Sequence, residues 1–266
     1  MRKSNLFLSL LLAGSALFTA CHKDIPVNAT VDMSDGNAYV RIVDVAPNFN
    51  SIAGIKDSFN LFIGANKINN ANLTYNTFFP VGTTPLYVSI PAGNQLFRFE
   101  QNPYVKADSA APANIYSITR KLEAGKYYSY IVTDSFKSTN PAKQMFLEDN
   151  FTPPEAGKFG IRFIHAVHND TAVGKTVDVF STKQKANIFT NVAAGTATGF
   201  LYFPIPTTSG GDTVILRRSG TLYEIARINA MTQSSGRVYS LLYRGTATGV
   251  LTTSSKYRGL TSYINY

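Results

Sequence analysis

The chain has no tryptophan and one cysteine among its 266 residues. A single cysteine excludes any disulfide within the chain. Without tryptophan the largest stacking platform for a sugar ring is missing, so an aromatic surface would have to be built from the 15 tyrosines and 18 phenylalanines. No stretch of ten or more residues shows a sustained helical stripe. The apolar stretch from Leu6 to Phe18 is shorter than the about 20 residues that cross a hydrocarbon core. There is no G-x-S-x-G elbow and no G-x-x-x-x-G-K-[ST] loop. The two Gly-Thr-Ala-Thr-Gly stretches, 195–199 and 245–249, lack the lysine, open no helix and read as strand-edge turns. No block of five or six like charges appears, and the densest basic cluster is Arg217-Arg218. The formal charge of +9 is therefore dispersed. It suits solvated strand faces near acidic headgroups or polyanionic glycans, and no nucleic-acid partner is expected.

What is present begins at the amino end. Arg2 and Lys3 precede the apolar stretch, and the small pair Thr19-Ala20 leads directly to Cys21. That layout is a secretory leader over residues 1–20. A cysteine directly after small residues resembles the lipobox of bacterial lipoproteins, in which the thiol takes a diacylglyceryl group and becomes the mature terminus. One acyl chain binds a membrane marginally and two or three bind it durably, at roughly 0.8 kcal/mol per buried methylene. Cys21 is thus the expected lipidation site, with the outer membrane the expected location and either of its sides open. Loss of Arg2 and Lys3 takes the 25 basic side chains to 23 against 16 acidic, a formal +7. Residues 21–36 are polar, lack strong periodicity and read as a tether.

Beyond the tether the sequence repeats itself. Tyr39-Val40-Arg41-Ile42-Val43 is echoed by Gly160-Ile161-Arg162-Phe163-Ile164, and Phe59–Phe62 by Val177–Phe180. Leu86–Pro91 is echoed by Leu201–Pro206, Ile115–Arg120 by Leu222–Arg227, and Gly125–Ser129 by Gly236–Ser240. Five blocks in one order mark a duplication. Leu86, Val88 and Ile90 alternate with Tyr87 and Ser89, and Phe59, Leu61 and Ile63 alternate likewise. This period of two puts each apolar set on one face of a strand. Turn clusters such as Gly64-Ala65-Asn66 and Ser209-Gly210-Gly211-Asp212 separate the blocks. Short strands with turns about every ten residues predict an all-β chain of two tandem Ig-like antiparallel β-sandwiches. The first spans 37–146 and the second 158–252. A linker at 147–157 carries Pro153-Pro154, and 253–266 forms a last strand or a tail.

These blocks resemble the family called domain of unknown function 4397, tandem β-sandwich modules common in bacterial lipoproteins. The residues that carry the resemblance are Val40–Val43, Ile161–Ala166, Val177-Asp178-Val179 and the turn Leu122–Tyr128. The acidic, proline-containing linker ending in Gly157-Lys158 carries it too. It extends over roughly residues 38–250. The chain departs from the family's Ser-Pro-Asp-Ala-Pro after the first strand, having Ala46-Pro47-Asn48 in one copy and Val167–Asp170 in the other. The resemblance implies no catalytic residue and no cofactor.

His165 and His168, with Asp170 and Asp178, are the residues a metal site would use. Zinc needs three or four ligands converging at about 2 Å, and strand positions three apart face opposite ways unless the chain turns near Val167. They read instead as a half-exposed pair at a strand end, with no metal, and a hydrolase built around His165, His168 and Asp170 is the alternative. Tyr127, Tyr128, Tyr130, Tyr202 and Tyr243 are the candidates for sugar stacking, with core packing the competing role. Asp108-Ser109-Ala110 and Asp170-Thr171-Ala172 resemble O-glycosylation acceptors, which makes Ser109 and Thr171 candidate modification sites in loops. The expected function is binding, display or architecture at the envelope, with surface glycans, peptidoglycan or another envelope protein as partner.

Overall fold

The recurring blocks fall largely on strands whose pairing reproduces the duplication, with Leu86-Tyr87, Ile205-Pro206 and Leu222-Tyr223 among the residues lying just outside them. In the computed structural model the described residues are 36–47, 49, 58–82, 86–101, 114–133, 144–168, 176–207, 210–246 and 252–266. The leader 1–20, Cys21 and nearly all of the tether lie outside them, as do Ser109, Asp170 and Thr171. Among the described residues there is no helix.

The first half supplies β1 (Asn37–Asp44), β2 (Ser58–Ile63), β3 (Asn66–Lys67), β4 (Leu73–Thr74), β5 (Thr77–Phe79), β6 (Val88–Pro91), β7 (Gly93–Gln101), β8 (Asn114–Leu122), β9 (Tyr127–Val132) and β10 (Met145–Glu148). The second supplies β11 (Lys158–His165), β12 (Thr176–Ser181), β13 (Ala186–Ala193), β14 (Leu201–Pro204), β15 (Asp212–Arg218), β16 (Glu224–Met231), β17 (Val238–Arg244) and β18 (Gly259–Ile264). An outer sheet in the first half runs β3–β2–β7–β8, and its counterpart in the second runs β13–β12–β15–β16. An inner sheet runs β10–β9–β1, with β6 and β5 sharing the far edge of β1; its counterpart runs β18–β17–β11–β14. The segment expected to be a last strand or a tail is β18, paired to β17 from Tyr239↔Ile264 to Arg244↔Gly259. The expected linker opens as the end of β10, which holds Leu147 and Glu148.

Each inner sheet contains one parallel pair, β1 with β9 and β11 with β17, within an otherwise antiparallel arrangement. Alternation tells which face a residue takes and says nothing of a partner's direction, so these two pairs were invisible in the sequence.

Inside the first sandwich, Val40, Ile42, Tyr128 and Tyr130 of the inner sheet meet Phe59, Leu61, Phe97 and Phe99 of the outer one. The rings interlock: Phe97 lies 5.5 Å from Tyr130, and Phe99 5.2 Å from Phe59. The second core is equivalent, with Ile161, Phe163 and Leu241 against Val177, Val179 and Leu216. Burial at about 25 cal/mol per Å² of apolar surface drives both.

Strands β1, β11 and β17 are buried on both faces. Their second faces form a third apolar cluster, in which Val43, Val45 and Ile131 of the first inner sheet meet Ile164, Ala166 and Leu242 of the second. In the duplication these are corresponding positions. Ser34–Tyr266 is accordingly one compact unit in which the two inner sheets share a wall.

Candidate functional site

Two corresponding arginines occupy that wall. Arg41 on β1 is buried and donates through Nε and Nη2 to the carbonyl of Leu86, at 3.0 and 2.8 Å, and through Nη1 to that of Ile264. Its guanidinium lies 4.7 Å from the Tyr87 ring centre and 5.0 Å from that of Tyr263. Arg162 on β11 donates through Nε to Ser240 Oγ at 2.7 Å and through Nη2 to Asp149 Oδ1. Asp149 is equally buried, and its Oδ2 accepts from Ser129 Oγ at 2.7 Å and from Tyr87 Oη at 2.8 Å. Asn265 Nδ2 donates to Tyr87 Oη at 3.1 Å and reaches Asp149 Oδ2 at 3.4 Å. A charge pair this deep is tolerated because Asp149 also accepts from Ser129 and Tyr87 while Arg162 also donates to Ser240. Burial, then the Asp149 carboxylate, pushes the Tyr87 hydroxyl above its ordinary value, so Tyr87 stays a donor.

Where the wall reaches the surface, it opens into a cleft of about 670 Å³ lined by Tyr87, Lys126, Tyr127, Glu148–Phe151, Asn265 and Tyr266. The volume falls within the about 300–1,000 Å³ usual for ligand sites. Its aromatic lining is continuous. Tyr127 stacks on Tyr39 at 4.7 Å and meets Tyr87 edge-on at 5.0 Å. Phe151 stands 6.1 Å from Tyr127, 5.6 Å from Tyr266 and 5.8 Å from Phe200. Tyr127 keeps 39% of its surface exposed and Tyr266 44%. Asp149 N donates to the Tyr127 carbonyl at 2.7 Å, which fixes the connector against the β9 terminus and brings Phe151 into the cleft.

The polar side of the cleft sets one lysine between two carboxylates. Lys126 Nζ lies 2.8 Å from Glu123 Oε2 and 3.2 Å from Glu148 Oε2. Hydrogen bonds to Glu123 and then Glu148 push the lysine up to about 12, and the same contact holds Glu123 below its ordinary value. A smaller cleft of about 260 Å³ lies along Thr152–Glu155, Lys158 and Tyr202, sharing Pro153 with the larger one.

Of the five tyrosines proposed for stacking, Tyr128, Tyr130 and Tyr243 are buried and belong to the two sandwich cores. The inward positions of β9 and β17 point at the facing sheet, which gives core packing the decision for these three. Tyr127 reaches the larger cleft and Tyr202 the smaller. Tyr87, Phe151 and Tyr266 were missed. They come from three separate stretches, and only the packing of the inner sheets brings them together.

His165 is not half-exposed: it is 2% exposed, with its ring 5.0 Å from Tyr243. The strand end carrying it is covered by β17 and by a bridge from Ile164 to Ala197. His168 is half-buried, and its Nε2 lies 3.0 Å from Thr133 Oγ1 in the other half. Among the described residues no three His, Cys, Asp or Glu side chains gather as metal ligands. Asp178 instead secures two turns. Its Oδ1 accepts from Ser219 Oγ at 2.6 Å and from Asn191 N at 2.8 Å, and its Oδ2 from Gly220 N at 3.0 Å. Burial works to raise this carboxyl, and these hydrogen bonds outweigh it, leaving the carboxyl below its ordinary value.

The model of the family described as domain of unknown function (DUF4397) matches residues 38–174. The chain belongs to that family. The matched span opens within β1 and runs past β11, so it takes in the first half, Asp149 and both wall arginines. For this DUF4397 chain no curated protein matches by sequence. Among solved structures it is similar to the TIE protein of Bacillus anthracis, at 10% identity over 79% of this chain and a TM-score of 0.21. The chain spans 34% of that protein's length. It is also similar to the fimbrial anchor protein Mfa2 of Porphyromonas gingivalis, at 8% identity, 86% and 97% coverage and a TM-score of 0.25. A candidate polysaccharide-binding protein of Bacteroides thetaiotaomicron matches at 8% identity, 86% and 96% coverage and a TM-score of 0.23. Likeness at this level carries no functional argument.

Proposed function

We propose that the chain is a non-catalytic module of the bacterial cell envelope, held at the outer membrane by fatty acylation of Cys21, and that it binds a partner in the cleft between its two sandwiches. One observation carries the binding role: Tyr127 and Tyr266 stay open to solvent over a 670 Å³ cleft whose aromatic lining continues through Phe151. Soluble proteins seldom leave such a surface without a use. The anchor would concentrate the module at the membrane, and the shared wall would keep the cleft in one shape for a glycan, peptidoglycan or envelope-protein partner.

The test has two arms. Radiolabelled palmitate should enter the wild-type protein and not Cys21→Ser, which should leave the membrane fraction. The mature protein in detergent micelles should co-sediment with isolated envelope polysaccharide or sacculi, and Tyr127→Ala should lose that retention. A Cys21→Ser form equally membrane-bound refutes the anchor; retention indifferent to Tyr127 refutes the cleft.

A further inference from the structure

We infer that the cleft takes an uncharged saccharide, presented ring-face to Tyr127, Phe151 and Tyr266 with its hydroxyls turned to Lys126 and Glu148; this deepens the binding role proposed above. A pyranose has an apolar face of C–H bonds and an edge of hydroxyls. The cleft has the matching halves, with half-exposed aromatic rings on one side and donor and acceptor groups on the other.

The polar side decides between ligand classes. Lys126 Nζ and Glu148 Oε2 stand 3.2 Å apart, a cationic donor beside an anionic acceptor. Two adjacent hydroxyls, each both donor and acceptor, can satisfy such a pair together. A proline-rich peptide, the other common occupant of aromatic grooves, offers carbonyl acceptors and few N–H donors, and would bring no donor to the free lone pairs of Glu148.

Charge argues against a polyanion. The chain carries +9 overall, yet Lys126 is held between the two carboxylates of Glu123 and Glu148, and Asp149 is matched by Arg162. The cleft therefore offers no surplus positive charge to attract phosphate, sulfate or uronate groups, and Glu148 would repel them.

The experiment is calorimetric titration of the mature full-length protein in detergent micelles. The probes are maltopentaose, cellopentaose and mannopentaose, against heparin and a decaproline peptide. At least one neutral oligosaccharide should bind, with an affinity unchanged between about 50 and 500 mM salt. Tyr127→Ala should weaken it tenfold or more. Tyr266→Ala, at the open edge, should do the same if Tyr127→Ala lowers the melting temperature. Tyr223→Ala, on an exposed turn of the second sandwich, should leave binding unchanged. Failure of all three neutral probes overturns the inference, as does preferential, salt-sensitive binding of heparin. Decaproline binding lost in Tyr127→Ala overturns the saccharide and leaves the cleft reading intact. Saccharide binding indifferent to both tyrosines overturns the inference and the cleft reading alike.

Discussion

Replacing Arg162 with methionine removes the charge that answers Asp149 while keeping much of the side-chain volume. Both side chains are almost wholly buried, at 3% and 0% exposure. Breaking a buried pair at one partner costs about 3–5 kcal/mol, because the other charge stays behind in a poor solvent. Asp149 would keep the hydroxyls of Tyr87 and Ser129 and the amide of Asn265, so the loss should sit at the lower end, about 3 kcal/mol. For a unit of this size that is a fall in melting temperature of about 6–12 °C. Arg162→Met combined with Asp149→Asn removes the stranded charge and keeps a side chain able to accept from Tyr87 and Ser129. The double variant should therefore lose less than the two single losses combined, by at least about 1 kcal/mol of coupling. Urea unfolding followed by near-ultraviolet circular dichroism, which here reports tyrosine environments, measures all four proteins. Additive losses would refute the claim that these two residues hold the inner sheets together as a pair.

Two further outcomes follow from other features. The Asp178 carboxyl is depressed in the folded state, so its stabilisation is full above the unfolded value of about 3.9 and is lost as pH falls through the lower native value; Asp178→Asn should flatten that acid limb of a stability–pH curve. Gly245 and Gly220 both have positive φ, but a Cβ on Gly245 would meet the Tyr257 carbonyl oxygen at 2.5 Å while one on Gly220 meets nothing within 4 Å. Gly220→Ala should cost about 1 kcal/mol in chemical denaturation and Gly245→Ala clearly more, and equal costs would show that the Tyr257 loop yields.

The strands were legible because alternation and the five recurring blocks carry facing information in local sequence. The shared wall was half-legible. Val40-Arg41-Ile42-Val43 and Ile161-Arg162-Phe163-Ile164 are apolar on both faces apart from one arginine, which is the pattern of strands covered on two sides. A charged residue at an outward position normally signals solvent, and nothing near Arg162 in sequence names Tyr263 or Ser240 as its neighbours. The cleft was less legible still. Tyr127 could be singled out as an aromatic beside a turn, whereas Tyr87, Phe151 and Tyr266 acquire their common role only when the inner sheets meet. The two histidines invited a metal reading because rarity draws attention, but His165 was placed by the burial of its strand.

The wall joining the halves draws on corresponding residues of the two copies: Val43, Val45 and Ile131 from one and Ile164, Ala166 and Leu242 from the other, with an arginine and a serine contributed from each side. Self-complementary surfaces of this kind are what two identical chains use to pair about a two-fold axis. Either half produced alone would therefore bare an apolar face with a buried-type arginine at its centre, and should dimerise or precipitate. Joined through the connector at Asp149, the same faces meet at an effective concentration in about the millimolar range, independent of how much protein the cell makes. Gene fusion would in this way turn a concentration-dependent association into a permanent one.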